Sequence, residues 1–576
     1  MKNLQLSWIL REIADLLELK GENPFKLRAY RNAARQVEHL PTDIAELGAE
    51  GRLREIPGIG PALEKKIDEW LSTGRMTYYE QLREEVPPGL LDLLTIPGLG
   101  PRLVPTLHRE LGITSIDDLE AAARGRKVRQ VKGIGGKTEM AILRGIEMWR
   151  RRGGQVLAYM ARPITSELVK RLAALNGVMR AELVGGLRRR QETVASGDIL
   201  VLAEDPAPIL DAFGELPIIE QVIERRDDRA KVLLTSGLAV NLYCASPAAY
   251  PTARQQFTGS EAHNRRLEEL AEKAGLVLKP SGLLSPEGQV ALADEADVYR
   301  ILGLPFIEPE LREDRGEVEA ALEGRLPRLI KEDDIQGDLH VHSHWSDGTA
   351  SIKAMAEALR ERGRKYMAVC DHSRSLAIAK GLSLDRLKKQ REEIRQLNEE
   401  LDGFHILSGV EVDILADGRL DYPDEILAEM DVVVASIHTG FNQPGEKITE
   451  RILAAMQNPH VDIIAHPTGR LLGRREPLAI DVERIIEEAV RTGTILEINA
   501  YPDRLDLNEV HARWAREAGV LLAINTDAHG TDQLDYLEYG VGVARRAWLE
   551  PNNVINCRPL EELEEILAPC RASVDN

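Results

Sequence analysis

Apolar and polar positions follow three different rhythms along this chain. Up to about residue 150 apolar residues recur three to four apart, the period of helices packed on one face. The opening run MKNLQLSWILREIADLL, interrupted by Arg11 and Glu12, predicts an amphipathic helix rather than a signal peptide. One turn recurs three times: Ile56-Pro57-Gly58-Ile59-Gly60, Ile96-Pro97-Gly98-Leu99-Gly100 and Val131-Lys132-Gly133-Ile134-Gly135. Each leads into a helix-forming segment. Two glycines around an aliphatic residue turn the backbone tightly and leave N–H groups exposed at a helix N-terminus, which suits phosphate oxygens. The aliphatic residue would plug the core between the paired helices. From about 151 to 315 the pattern is mixed α/β, with strand-like runs at Asp198–Ala203, after a Gly-Gly turn, and at Leu238–Tyr243. A charged linker from Arg312 to Asp334 follows.

From about 336 the chain repeats strand, polar residue, helix. The strands read GDLHVHS, YMAVCDH, HILSGVEVD, DVVVASIH, VDIIAHP, TILEINA and VLLAINTDAH, with helices predicted between most of them, as at Leu384–Leu401 and Val482–Arg491. Seven βα units predict a closed parallel barrel, whose chemistry gathers at the C-terminal ends of the strands.

Nine residues of metal-ligand type sit at or just beyond those ends: His340, His342, Asp347, His372, Glu411, His438, His466, Asp527 and His529, with Asp338 opening the first run. A lone histidine on an apolar strand is ordinarily a satisfied core residue. Here six of the chain's 13 histidines belong to one set, and six of the seven strands end in a histidine or a carboxylate. Imidazole mixed with carboxylate selects manganese, zinc or iron over magnesium or calcium. The set holds no thiolate, which disfavours a structural zinc. Nine ligands are too many for one ion and suit two or three, able to activate water and clamp the oxygens of a phosphate ester. Glu411, the one glutamate of the set, is the candidate to bridge two ions.

Composition narrows this further. A chain of 576 residues with 43% hydrophobic and 29% charged positions reads as several ordinary globular domains. No apolar run approaches the roughly 18–20 residues that span a bilayer. Cys244, Cys370, Cys557 and Cys570 are scattered, as expected of a reduced, cytoplasmic protein, and Cys370 reads as strand packing. The net charge of −20 argues against nucleic acid, but unevenly. Residues 1–150 carry 23 basic and 22 acidic side chains, the remainder 51 and 72. The first region can hold local basic surfaces, and the acidic remainder suits cations.

The HxH, D, DH, E, H, HP and DxH series resembles the polymerase-and-histidinol-phosphatase (PHP) superfamily of phosphoesterases. The resemblance implies a trinuclear centre. One ion would take His340, His342, Glu411 and Asp527, a second Glu411, His438 and His466, and a third Asp347, His372 and His529. Glu411, Asp527 and His342 would stand at its catalytic heart, holding manganese or zinc.

The preceding half resembles family X DNA polymerases. The similarity rests on Lys26-Leu27-Arg28-Ala29-Tyr30-Arg31, the three hairpins, Gly185-Gly186-Leu187-Arg188-Arg189, Phe257-Thr258-Gly259-Ser260 and Glu308-Pro309-Glu310-Leu311-Arg312-Glu313. It implies a helix-hairpin-helix domain at 1–80, a fingers-like one at 81–150, an α/β nucleotidyltransferase palm and thumb at 151–315, a linker at 316–335 and the seven-stranded PHP barrel at 336–576. Residues implied to hold DNA or nucleotide are Gly58, Gly60, Gly98, Gly100, Gly133, Gly135, Lys26, Tyr30, Arg188, Arg189, Gly259 and Ser260. Lys66 matches a lysine that attacks abasic sugars in lyase-competent relatives, while a second lysine position of that motif is Ala62.

The palm departs from the family pattern. Its three carboxylate positions fall on Ser196, Asp198 and Asn241, and the position of a triphosphate-contacting serine on Gly186. The two palm ions, magnesium or manganese, would rest on Asp198 alone, since Ser and Asn are weak ligands for a hard dication. Glu204 and Asp205 lie toward the far end of the strand. The resulting expectation is a monomeric, nucleoid-associated DNA-repair protein whose barrel is a 3′–5′ exonuclease on gapped, nicked or 3′-blocked duplex, with nucleotidyl transfer weak or lost. Two alternatives stand beside it: a working gap-filling polymerase that takes dNTP and proofreads with the barrel, and a DNA-binding scaffold whose barrel cleaves a small phosphate ester. None of these readings involves a membrane.

Overall fold

The computed structural model describes residues 2–567 apart from 39, 41, 88, 95, 97, 98, 101, 102 and 152–154. Among the described residues up to Arg151 every regular element is a helix. The opening run forms the helix Lys2–Leu19, whose Leu6, Leu10, Ile13 and Leu17 are buried against Ala33, Ala34 and Val37 of Pro24–Glu38. The boundary predicted near residue 80 runs through one continuous apolar cluster that extends from Leu6 to Ile146. The two hairpin regions therefore pack as one body.

The palm is a five-stranded sheet in the order Arg180–Val184, Gly197–Leu202, Ala239–Ala245, Arg229–Leu234, Ile219–Arg225. Gly197–Leu202 and Ala239–Ala245 are parallel neighbours in a register that sets Asp198 beside Asn241. The thumb follows around the buried Tyr299. There Arg312 is fully buried, 5.1 Å from the centres of both the Tyr299 and the Phe306 rings, and Glu295 gathers Arg312 (2.6 Å), Arg188 (2.5 Å) and Arg254 (3.2 Å). Burial opposes ionisation of Glu295, but Arg312 and Arg188 outweigh it and hold its pKa at about 2. Removing one partner of a buried charge cluster leaves the others uncompensated. Glu295→Gln should therefore destabilise palm and thumb by about 3–5 kcal/mol, seen as an earlier step in thermal unfolding while the barrel step stays in place.

The predicted linker is no free tether. It contains the helix Glu317–Leu322, and Val318, Ala320, Ala321 and Leu329 are buried in the thumb core together with Trp548 of the barrel. Paired charges join the two parts: Arg545 to Glu310 at 2.8 Å, Arg546 to Glu313 at 2.8 Å and Arg470 to Glu192 at 2.6 Å.

The C-terminal part is the predicted barrel. Its seven parallel strands, Gly337–Val341, Tyr366–Val369, His405–Asp413, Val432–Ser436, Ile463–Ile464, Ile495–Asn499 and Leu522–Asn525, pair in sequence order. The four-residue strand Tyr366–Val369 is buried throughout, as are several others, because both faces of a parallel sheet are covered; this is why they read as apolar runs without alternation. The last strand closes toward the first through Asp527 N to His340 O (3.0 Å) and His342 N to Ala528 O (2.8 Å). Helices Leu384–Glu400 and Val482–Thr492 lie between strands as predicted, begun by Ser383 and Asp481, whose side chains accept from the backbone N–H of Arg386 and Arg484. Among the described residues no helix is long and apolar enough to cross a membrane.

Candidate active site

All nine predicted ligands converge at the C-terminal mouth of the barrel. Strand register does this: His342, His372, His438, His466 and Asp527 lie one to three residues beyond strand ends, while His340 and Glu411 project from within their strands. Glu411, almost fully buried, is ringed by five imidazoles: His372 at 2.7 Å, His466 at 3.1 Å, His438 at 3.4 Å, His340 at 3.6 Å and His342 at 3.7 Å. Three groups have donor atoms mutually within 4.8 Å: His342, Asp347, His372 and His529; His340, His342 and Asp527; and His372, Glu411 and His438. The grouping differs from the implied one: His372 and His342 are each shared between two groups, whereas Glu411, the implied bridge, falls in one. His466 meets the cluster through Glu411. Backbone φ is positive at His466 (30°) and Asp527 (54°), a conformation unfavourable for side-chain-bearing residues that surrounding structure must hold.

The electrostatics of the mouth call for cations. Burial disfavours charge on His340, yet Glu497, Glu411 and Asp527 overcome it and keep its pKa well above the usual imidazole value. Burial likewise opposes charge on His529, but Asp347 and Asp527 raise it to about 9. Burial, with His529 and His372 nearby, pushes His342 down to about 3, which leaves it a neutral donor. Glu411 and Asp527 are held far below the carboxylate range, burial notwithstanding, by the imidazoles around them. His342 Nδ1, His372 Nδ1 and Glu411 Oε2 are buried without a hydrogen-bond partner; the 2.7 Å approach of the last two lacks hydrogen-bond alignment. Buried orphan donors of this kind fit ions. When bound, two or three dications would supply Lewis acidity to a phosphate ester and the water that attacks it. Manganese at about a hundred times its dissociation constant should stabilise the barrel by about 2.7 kcal/mol, raising its unfolding midpoint by roughly 5–10 °C. Calorimetry with and without chelator checks this, and identical midpoints would refute it.

Sequence reasoning missed the groups that orient the ligands. Glu497 accepts from His340 Nδ1 at 2.8 Å, and Asp413 from His438 Nδ1 at 2.7 Å, turning each Nε2 inward. Asn499 Nδ2 holds Asp527 Oδ2 at 3.1 Å. Signals for two of them were present. Glu497 is a carboxylate inside the apolar strand TILEINA, the one strand without a predicted ligand. Asp413 stands two residues from Glu411, on the same strand face.

In the palm the three positions matched to the family's carboxylates do come together. Asp198 Oδ1 accepts from Ser196 Oγ at 2.9 Å and from Asn241 Nδ2 at 2.7 Å, and Ser196 and Asn241 are 3.1 Å apart. Burial raises the Asp198 pKa. The lone carboxylate is satisfied by neutral donors. Gly185 permits this packing, since a Cβ there would lie 2.1 Å from Asp198 Oδ2. Glu204 and Asp205 are exposed beyond the opposite end of the strand. Arg188 and Arg189 face inward: Arg188 pairs with Glu295, and Arg189 with Glu313 at 3.0 Å. Gly259 ends the helix Tyr250–Thr258, and Ser260 caps Glu261–Lys273.

The hairpins have the predicted plugs: Ile59, Leu99 and Ile134 are buried. Gly58 and Gly133 adopt φ of 87° and 89°, and Gly60 and Gly135 stand at the starts of helices. Gly100 O accepts from Leu103 N at the next helix start, and Gly98 lies outside the described residues. Lys26 and Lys66 sit 5.7 and 4.5 Å from the centre of the Tyr78 ring, on which Tyr30 stacks at 6.3 Å. Burial and then Lys26 lower the Lys66 pKa. Tyr78, the centre of this cluster, was not anticipated.

A parallel barrel with this mouth, joined to a thumb and helix-hairpin-helix units, defines a PHP-type metal-dependent phosphoesterase on a polymerase framework. Family models agree: a helix-hairpin-helix domain matches residues 1–76, a SAM-like helix-hairpin-helix tandem 90–147, a DNA polymerase beta thumb 253–313 and a PHP domain 338–500. The DNA polymerase/3′-5′ exonuclease PolX of Bacillus subtilis (strain 168) is 41% identical over 564 residues, 97% of this chain and 98% of that protein. A probable phosphatase of Thermoanaerobacter sp. (strain X514) is 29% identical over 231 residues, covering 38% of this chain and 89% of its own. The chain belongs to the PolX family, the family X DNA polymerases that carry a PHP domain.

Proposed function

We propose that this protein is a DNA-repair 3′–5′ exonuclease whose chemistry resides in the barrel, and whose palm seats DNA with little or no nucleotidyl transfer. The observation that carries this is the contrast between two centres in one chain. Eight residues of metal-ligand type fall into three groups at the barrel mouth, with His466 against Glu411, while one carboxylate bound by two neutral donors remains in the palm. Gapped, nicked or 3′-blocked duplex is the substrate, manganese or zinc the ion, and the nucleoid the place of work. The hairpins hold the DNA backbone without reading sequence, so affinity should fall steeply with salt. The Bacillus subtilis relative is named for both activities, and its exonuclease is the one transferred here.

The direct test is a 5′-labelled gapped duplex with manganese, with and without deoxynucleotides. Stepwise shortening in both lanes is expected, and template-directed extension at ordinary rates would overturn the palm reading. Lys66 is the proposed nucleophile toward an abasic sugar, its amine made more available by burial beside Lys26. Borohydride should trap the protein on an abasic duplex, and Lys66→Ala should remove the adduct. An undiminished adduct would exclude this lysine.

A further inference from the structure

The loop 500–507 touches both the barrel mouth and the palm. It leaves the strand Ile495–Asn499 and brings the Arg504 guanidinium to 3.6 Å from Asp527 Oδ2, with the side chain one-fifth exposed at 20%. Arg475 is seated 4.2 Å from the centre of the Phe441 ring and donates to Gly469 O at 2.7 Å. Burial, and then the Arg504 charge, lower the Arg475 pKa. A partly exposed guanidinium facing a metal-ligand carboxylate is placed to take an anionic oxygen at the mouth. A guanidinium is permanently charged and its planar fork matches phosphate oxygens.

The opposite side of this loop is held from the palm. Arg470, buried, donates from Nε to Arg504 O at 2.8 Å and from Nη2 to Leu505 O. The same guanidinium takes Glu192 of the palm in a two-pronged pair at 3.2 and 2.6 Å. Pro502 and Leu505 line a small cavity against Ala158, Tyr159 and Leu187 of the palm. Leu505 has φ of 46°, a left-handed conformation that its surroundings must maintain. The carbonyls that Arg470 grips are those of Arg504 and this strained residue. Glu192 therefore bears, through one side chain, on the residue that presents the Arg504 guanidinium.

We propose that Arg504 binds a non-bridging oxygen of the scissile phosphate, and that the palm positions it through Glu192 and Arg470. The idea rests on the barrel being a phosphodiesterase. It gives the palm a role independent of its own lost carboxylates: the docked palm sets the geometry of the neighbouring centre. Glu192 is a positioning residue, and Arg504 a substrate-binding one.

The test uses the full-length protein, manganese and bis(p-nitrophenyl) phosphate, a diester too small to reach the palm from the barrel mouth. Arg504→Ala should raise KM about 10–100-fold, the scale of a lost charged hydrogen bond, with Arg504→Lys recovering only part. Glu192→Gln should lower kcat/KM for this small diester about 3–10-fold, mainly through KM, and should add nothing in the double variant with Arg504→Ala. Calorimetric binding of inorganic phosphate to the manganese-loaded protein should weaken in the same order. A wild-type KM in Arg504→Ala overturns the clamp. A Glu192→Gln effect that is absent, or that adds in full to Arg504→Ala, overturns the coupling. If the wild type fails to cleave the diester, the phosphodiesterase reading fails by itself, and unchanged phosphate binding in Arg504→Ala would then refute the clamp as well.

Discussion

Glu411→Gln is expected to lower manganese-dependent shortening of a labelled 3′ end by at least about 10²–10³-fold, the scale on which single charge-stabilising groups act in enzyme sites. The substitution is nearly isosteric and sits in a fully enclosed position, so the barrel retains its packing. What changes is charge and donor character. Five imidazoles now converge on one carboxylate, within 2.7 to 3.7 Å. An amide there is neutral and presents an N–H₂ toward nitrogens that must also face ions. Two of the three donor groups lose their balance, because His372 belongs both to the group of Glu411 and to that of Asp347. Asp347→Asn should be milder, since that carboxylate lies at the rim with its side chain 35% exposed and water can replace part of it. DNA affinity of the Glu411 variant, measured by gel shift with chelator present, should match the wild type because the hairpins lie outside the barrel. Undiminished single-turnover shortening by Glu411→Gln would remove the nuclease from this mouth.

The barrel was legible in the sequence because its two signals are local. A parallel strand covered on both faces needs an unbroken apolar run, and a ligand at the mouth must follow that run directly. The palm positions were legible for a different reason. The family's carboxylate positions fall on Ser196, Asp198 and Asn241, and parallel pairing of the two strands brings them into hydrogen-bond contact. What stayed hidden depends on distant partners. Arg188 and Arg189, read as phosphate ligands, face Glu295 and Glu313, more than a hundred residues away. Arg470 and Glu192 are separated by 278 positions, and nothing periodic marks either of them. Ion pairs between domains carry no rhythm, so neither the docking of palm on barrel nor the packed linker was foreseeable. The single N-terminal core was hidden likewise, since two hairpin units read the same in sequence whether they share a core or not.

The double substitution Ser196→Asp/Asn241→Asp should raise template-directed primer extension by at least about 10²-fold over the wild type in the presence of manganese and deoxynucleotides. In the wild type Asp198 Oδ1 accepts from the Ser196 hydroxyl and the Asn241 amide, at 2.9 and 2.7 Å, so a single carboxylate faces two neutral donors. Two further carboxylates at those positions convert donors into acceptors. Three carboxylates this close cannot all ionise without cations between them, so the variant should unfold at a lower temperature than the wild type in chelator and recover when manganese is added. That recovery distinguishes a rebuilt ion site from a merely damaged palm. Full family rates are not expected, because Gly186 still stands where the family's triphosphate-contacting serine would be. The measurement is best made in the Glu411→Gln background, where shortening no longer erases the product. Extension by the unsubstituted palm at the rate of the restored one would show that Asp198 alone suffices. Failure of the restored palm to extend, despite manganese-dependent stabilisation, would show that Gly186 or the inward-facing arginines had closed the nucleotide site independently of its carboxylates.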